Sequence, residues 1–242
     1  MTGGSKGLGK AMALGLAAAG ADVLIVSRHE DELVPAIAEI RAETGRADGG
    51  YFVADLADRA QLERLAAAVL AERGRIDILI NNAGANVVEA VDQITDEAWD
   101  LVQSVYVFAA MALTRAFAPG MKERGWGRIV HISSILGFTS KEGRAAYSAA
   151  KAAIAGHARA AAIDLGPYGI TVNCLAPGPF WTDGSARSMS RDELSGTAAA
   201  RTAVGRRAEP EELVGPLLML TGDAGRFVTG STLVVDGGWL AR

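Results

Sequence analysis

The feature that most limits how this chain can fold is an alternation that runs from one end to the other. Short, almost continuously apolar runs rich in β-branched residues are separated by longer helical patterns. Residues 23–26, 51–53, 76–80, 128–132, 170–175 and 232–235 read as strands. Helical patterns cover about 31–44, 58–73, 95–123, an Ala-rich run reaching about Leu165, and 210–221. Pro35 is tolerable only in a first turn, and Pro210 suits the opening of a helix. Strands that lack polar alternation are buried on both faces, which means a parallel sheet covered by helices on either side. No linker, repeat or low-complexity tract interrupts the pattern, so residues 1–242 read as one α/β domain built on a single doubly wound parallel sheet.

Length and charge narrow the classes of function. A chain of 242 residues can bury a substantial core, and half of it is apolar. A formal net charge of -4 offers no basic excess for nucleic acid. The single cysteine, Cys174, forms no internal disulfide and supplies no cysteine cluster for a metal, which fits a reducing cytoplasm. No apolar run approaches the roughly 18 residues of a membrane span. Lys6 and Lys10 followed by Ala-rich sequence imitate a signal peptide, but that run is only feebly apolar.

The segment Thr2-Gly3-Gly4-Ser5-Lys6-Gly7-Leu8-Gly9 opens the first helix. Glycines there let backbone N–H groups approach a pyrophosphate at a helix N-terminus, where the dipole favours negative charge. Other readings compete. Gly4-x4-Gly9-Lys10 nearly matches a nucleoside-triphosphate loop, but Ala11 stands where a Ser or Thr must hold Mg²⁺. Gly3-Gly4-Ser5-Lys6-Gly7 matches a nucleophile elbow, which wants a catalytic His late in the chain, and the last one, His157, lies inside a helix. A tight loop before a helix, with no ligand, is the plainest reading.

Tyr147 and Lys151 lie one turn apart on one helix face. A phenol is a poor acid or base near neutral pH, and a neighbouring ammonium that lowers its pKa makes it usable for proton transfer. Ser134, thirteen residues upstream at the end of a strand, completes a hydroxyl, a phenol and an ammonium. That set suits interconversion of a carbonyl and an alcohol. A surface Lys beside a half-buried Tyr is the bland alternative.

Taken in order, Thr2-Gly3-x3-Gly7-x-Gly9, Asp55-Leu56, Asn81-Asn82-Ala83-Gly84, Ser134, Tyr147-x3-Lys151 and Pro177-Gly178-x3-Thr182 resemble the short-chain dehydrogenase/reductase family. The likeness continues to Val234-Val235-Asp236-Gly237-Gly238, so it spans essentially the whole chain. It implies a Rossmann-like fold and an NADP(H)-dependent oxidoreductase, similar to 3-oxoacyl-carrier-protein reductases and sugar or polyol dehydrogenases. By this resemblance Ser134 positions and polarises the substrate oxygen, and Tyr147 exchanges its proton. Lys151 lowers the Tyr147 pKa and binds the nicotinamide ribose. The implied cofactor site comprises Gly3, Ser5, Lys6, Gly7, Leu8 and Gly9, then Ser27 and Arg28. Asp55, as acceptor for the adenine amino group, joins it with Leu56. Asn82, Ala83 and Gly84 lie against a ribose, and Pro177, Gly178 and Thr182 complete the site with Tyr147 and Lys151. A substrate lid is expected at about 183–207, where Arg187, Arg191 and Arg201 either meet an acidic substrate or are solvated. The expected partners are a small carbonyl or alcohol substrate and further copies of the chain, as a homotetramer or homodimer. Nucleic acid and membrane are not expected partners, and His29 and His131 are expected to be a solvated loop residue and a packing residue.

Two departures from the family pattern stand out. No apolar strand precedes the glycine loop, since Met1 stands immediately before Thr2, so the central first strand is missing: either the true start lies upstream by about one strand, with lower solubility and cofactor binding expected without it, or the protein is compromised. Tyr106 stands where the family pattern has an Asn that orders a water of the proton relay. A non-catalytic dinucleotide-binding or scaffold protein on the same fold is the alternative those departures support. Cofactor preference is read more directly. Eighteen residues after Gly9 stands Ser27, not the carboxylate that would accept from ribose hydroxyls and repel a 2′-phosphate, and Arg28 follows it. A guanidinium grips a phosphate bidentately, and Lys6 adds a second positive charge, so NADP(H) is expected over NAD(H).

Overall fold

In the computed structural model, residues 1–46, 48–181, 196 and 200–241 are described. Six parallel strands form: β1 (Leu24–Ser27), β2 (Gly50–Val53), β3 (Ile78–Asn81), β4 (Gly127–Ile132), β5 (Ile170–Pro177) and β6 (Thr232–Val235). The helices are α1 (Gly7–Ala18), α2 (Glu30–Thr44), α3 (Arg59–Arg73), α4 (Asp96–Gln103), α5 (Ala109–Arg124), α6 (Ala145–Leu165) and α7 (Val214–Thr221). Strands alternate with helices as the apolar pattern requires, and the fold is α/β and Rossmann-like.

The sheet is in two parts, β2 beside β1 and then β3-β4-β5-β6. Residues 1–3 are the backbone between them. The Met1 carbonyl accepts from Val26 N at 2.9 Å, Gly3 N donates to the Val26 carbonyl at 2.7 Å, and Thr2 N donates to the Ile80 carbonyl at 3.0 Å. The expected gap where a first strand would run is thus bridged at one end by three residues. The order β2-β1-(1–3)-β3-β4-β5-β6 reverses at that point, and in such sheets the crevice outside the strand C-termini there receives ligands.

Residues along each strand face opposite layers. Val26, Leu79, Ile129 and Val172 pack with α3, α5 and α6, whereas Ile25, Ile80, Val130 and Leu175 pack with α1, α2 and α7. β4 and β5 are buried along their whole length, which is why their sequences show no polar alternation. Helix ends follow local chemistry. Asp58 caps α3 by accepting from Ala60 N and Gln61 N, and Gly74 closes it in the left-handed region.

One stretch departs from the sequence reading. Asp96–Arg124 is a continuous helical run of 29 residues, long and apolar enough by composition to cross a membrane. Its apolar residues Leu113, Phe117 and Met121 are instead buried against the sheet. Between α4 and α5 the run contains one π turn, Ser104–Phe108, which rotates the residues on either side relative to an unbroken α-helix. The last expected helix opens as a 3₁₀ turn, Pro210–Leu213, before α7.

Candidate active site

The C-terminal ends of β1, β2 and β3 and the glycine loop enclose a cleft of about 210 Å³. Gly3, Ser5, Lys6, Ser27, Arg28, Asp55, Leu56 and residues 82–85 line it. Its floor is bare backbone for a steric reason. Gly3 has φ +64, and a Cβ there would lie 2.8 Å from Ala83 Cα, while a side chain at Gly9 would strike the Gly3 carbonyl. Asn82 stitches the loop to β3, its Nδ2 donating to the Thr2 and Gly3 carbonyls at 3.0 Å each. Thr2 Oγ1 accepts from Asn82 N and Ala83 N at 2.9 and 3.0 Å. Gly7, Leu8 and Gly9 open α1, whose N-terminus carries partial positive charge. This cradle fits a dinucleotide pyrophosphate, with Asp55 at one side. The Asp55 Oδ1 also accepts from Ala57 N at 3.0 Å. Pro177 and Gly178 sit at the end of β5, where Gly178 N donates to the Val235 carbonyl at 2.9 Å. Thr182, and 183–195 and 197–199 of the expected lid, lie outside the described residues, as do Arg187 and Arg191.

The charges on the rim differ from the sequence expectation in one respect. Arg28 is exposed at the cleft, as a phosphate-binding guanidinium must be. Lys6, the expected second cation, is already engaged. Its Nζ donates to Glu32 Oε1 at 2.6 Å while Ser5 Oγ donates to Glu32 Oε2 at 3.1 Å. These bonds, the Lys6 one foremost, hold the Glu32 carboxyl below its ordinary range. No local pattern announces Glu32, because the pairing spans two separate βα units.

At the end of β4, Ser134 caps a 3₁₀ turn, its Oγ accepting from Leu136 N at 3.1 Å, and its hydroxyl is close enough to Tyr147 to pull the phenol's pKa down. Tyr147 and Lys151 stand on the first two turns of α6, which Ser133 fixes to β4 by donating its Oγ to the Lys151 carbonyl at 2.9 Å. Ser134, Tyr147 and Lys151 are therefore brought together. Lys151 is 3 % exposed, and its Nζ donates to the Ile132 carbonyl at 2.5 Å and lies 5.5 Å from the Tyr147 ring centroid. Burial changes the expected electrostatics. It lowers the Lys151 ammonium to about 7 and raises the Tyr147 phenol, which nearby Ser134 and Arg144 pull back. A depressed phenol is thus not a property of this state, because loss of solvation outweighs the pull of Ser134 and Arg144.

Tyr106 lies on the π turn. Its hydroxyl donates to the Ala85 carbonyl at 2.9 Å, and its ring meets Tyr147 edge-on with centroids 5.4 Å apart. Lys151 Nζ sits 4.0 Å from the Tyr106 ring centroid. Arg144 was not singled out by sequence. Its Nη1 donates to Asn86 Oδ1 at 2.7 Å and its guanidinium lies 5.8 Å from the Tyr147 ring centroid. Arg144, Arg207 and Arg201 all depress the Lys141 ammonium, after its partial burial.

The competing readings of the glycine loop fail on placement. Lys10 Nζ is held by Glu39 at 2.8 and 2.9 Å rather than aimed into the loop. Ser5 hydrogen-bonds Glu32, while the late His157 pairs with His131 at 3.2 Å on the α6 side of the sheet. His131 is fully buried and also meets Asn81 Nδ2 at 3.0 Å, so it is a bonded core residue, and His29 is exposed at the start of α2.

A family model described as Enoyl-(Acyl carrier protein) reductase matches residues 3–240. The gluconate 5-dehydrogenase of Gluconobacter oxydans (strain 621H) is 36% identical over 98% of this chain and 92% of its own length. The human dehydrogenase/reductase SDR family member 4 is 34% identical over 100% of this chain and 87% of its own length. The crystal structure of a gluconate 5-dehydrogenase from Burkholderia cenocepacia J2315, in complex with NADP and tartrate, superposes with a TM-score of 0.92. It is 33% identical, and the match covers 100% of this chain and 94% of that one. With the cleft and the Ser134, Tyr147 and Lys151 geometry already in hand, these matches establish that the chain belongs to the short-chain dehydrogenase/reductase family of oxidoreductases.

Proposed function

We propose that Ser134, Tyr147 and Lys151 handle the proton in an NADP(H)-dependent interconversion of a ketone or aldehyde and an alcohol. The observation that carries this reading is the convergence of the three on one another beside the dinucleotide cleft. The cofactor, when bound, supplies or accepts the hydride. Gly3, Ser5, Gly7, Leu8 and Gly9 cradle its pyrophosphate, and Arg28 grips its 2′-phosphate. Asp55 and Leu56 border the adenine, residues 82–84 border a ribose, and Pro177 and Gly178 lie on the far side, with Thr182 a further cofactor contact by the family resemblance. Tyr147 gives its proton to the substrate oxygen during reduction and takes it back during oxidation, while Ser134 hydrogen-bonds that oxygen. Lys151, charged, stabilises the phenolate left behind.

The substrate class we favour is a small polyhydroxylated acid. Support comes from the gluconate 5-dehydrogenases among the relatives and from Arg144 beside Tyr147, which with Arg207 and Arg201 also acts on the Lys141 ammonium. The test is absorbance at the reduced nicotinamide band, with NADPH or NADH, against keto sugar acids, neutral ketoses and 3-oxoacyl thioesters. Keto acids turning over fastest with NADPH is the expected result. Turnover on neutral ketoses alone would overturn the acid class, and faster turnover with NADH would overturn the cofactor assignment.

The same reading includes one domain over 1–242 with a substrate lid at about 183–207. It also includes a homotetramer or homodimer in the cytoplasm. Exposed Trp99 and Leu101 on α4 and Ile163 on α6 offer apolar surface for self-association. The free, buried Cys174 suits a reducing compartment.

A further inference from the structure

The contacts of Tyr106 are not those of a bystander. A buried amine needs a reason to stay charged. Lys151 has one described acceptor, the Ile132 carbonyl, and the face of the Tyr106 ring lies 4.0 Å from its Nζ. A ring face attracts a cation through its quadrupole, more strongly where water is excluded. The same ring abuts Tyr147 edge-on, so it touches both members of the pair. Three features hold it there. The π turn Ser104–Phe108 presents it, and its hydroxyl donates to the Ala85 carbonyl. Gly84 leaves it room, since any Cβ there would collide with the Tyr106 hydroxyl.

We propose that Tyr106 is a positioning residue that keeps Lys151 an ammonium and seats it beneath Tyr147, with the π turn presenting the ring. This rests on the reading of Ser134, Tyr147 and Lys151 as the proton-handling set. The cation–π contact stabilises the charged form of Lys151 and so raises its pKa against the effect of burial. A charged Lys151 in turn favours the Tyr147 phenolate that proton donation leaves behind.

The other groups facing this pair stay in one state near neutral pH. Cys174 on β5 is pushed up to about 12 and His131 on β4 down to about 3, both chiefly by burial. Arg144 at the start of α6 places its guanidinium 5.8 Å from the Tyr147 ring centroid. Lys151 and Tyr147 are therefore the groups of this cluster whose titration responds to the ring.

Removing the ring must lower the Lys151 pKa, and a chain with five lysines allows that titration to be followed directly by the ¹³Cε shift in lysine-labelled full-length protein. In Tyr106→Leu and in the more adaptable Tyr106→Met, the Lys151 pKa should fall by about half a unit or more. The alkaline limb of kcat/KM for carbonyl reduction should move to lower pH with it. Tyr106→Phe keeps the ring face and should leave both within about 0.2 unit of wild type, since the hydroxyl does not touch Lys151. An unshifted Lys151 in folded Leu and Met variants would overturn the proposal, and so would an equal shift in Tyr106→Phe. Tyr147→Phe, measured alongside, separates the two readings. If that variant stays active, the proton-handling assignment fails whatever Tyr106 does. If it is inactive while Lys151 ignores the ring, the Tyr106 proposal alone fails.

Discussion

Lys151 is where stability and chemistry oppose each other most sharply. Its folded-state pKa, about 7, lies below its ordinary value, so the unfolded chain binds that proton more readily than the folded one. The penalty is absent above about pH 10.5 and grows as pH falls toward about 7, on the order of a few kcal/mol. Lys151→Met removes the buried amine while keeping the volume of the stem. We expect a Tm several degrees above wild type at pH 7 together with loss of turnover, checked by calorimetry and the absorbance assay. A lower Tm would mean that the Ile132 bond outweighs the burial cost. On the proposed function, two rim residues act on the cofactor preference in opposite senses. Arg28→Ala forfeits charge-assisted bonds worth roughly 1.5–3 kcal/mol, so NADP(H) affinity should drop about one to two decades with NAD(H) little changed. Glu32→Gln releases Lys6 toward the same phosphate and should tighten NADP(H) about twofold to fivefold, consistent with an exposed ion pair worth up to about 1 kcal/mol. Calorimetric titration with both cofactors decides each case, and a uniform change in both affinities would contradict the rim assignment.

At the scale of elements, β4 and β5 were legible because burial on both faces leaves no polar alternation to confuse with anything else. α3 was legible for a different reason, namely a start at Asp58 and a stop at Gly74 that each satisfy backbone groups. Asp58→Ala should cost about 1 kcal/mol, which for a domain of this size is a Tm drop of about 2–4 °C. A drop no larger than that of an exposed substitution in mid-helix would show that the cap contributes little. The π turn was not legible. Nothing in Ser104-Val105-Tyr106-Val107-Phe108 breaks a helix, and the extra residue in the turn reflects what the ring meets on α6 and at Ala85 rather than any local preference. The Lys6–Glu32 pair escaped for the same reason, since it depends on how two βα units dock. The long Asp96–Arg124 helix shows the reverse case, where composition alone suggests a membrane and packing places the apolar face in the core.

Over the whole molecule, the motifs that are far apart in sequence meet along the C-terminal edge of one sheet, which is why their order and spacing were informative while each alone was not. The fold also buries titratable groups in the sheet, and their cost sets its response to acid. His131 has a folded-state pKa depressed to about 3 by burial, so stability present above about pH 6.5 is lost progressively as pH falls below it. Unfolding free energy from urea titrations should fall by about 2 kcal/mol between pH 6.5 and 5, at roughly 1.4 kcal/mol per pH unit. His131→Gln should flatten that slope, and an unchanged slope would assign the acid sensitivity elsewhere. The central claim is that Tyr147, held by Ser134 and served by Lys151, is the proton donor of an NADPH-dependent carbonyl reduction. Its most direct test is single-turnover NADPH oxidation by Tyr147→Phe on the best keto substrate, with NADPH affinity measured in parallel. The account predicts NADPH affinity within about threefold of wild type and a turnover rate lower by about two to four decades. A Phe variant that binds NADPH normally and turns over at a rate near wild type would contradict it.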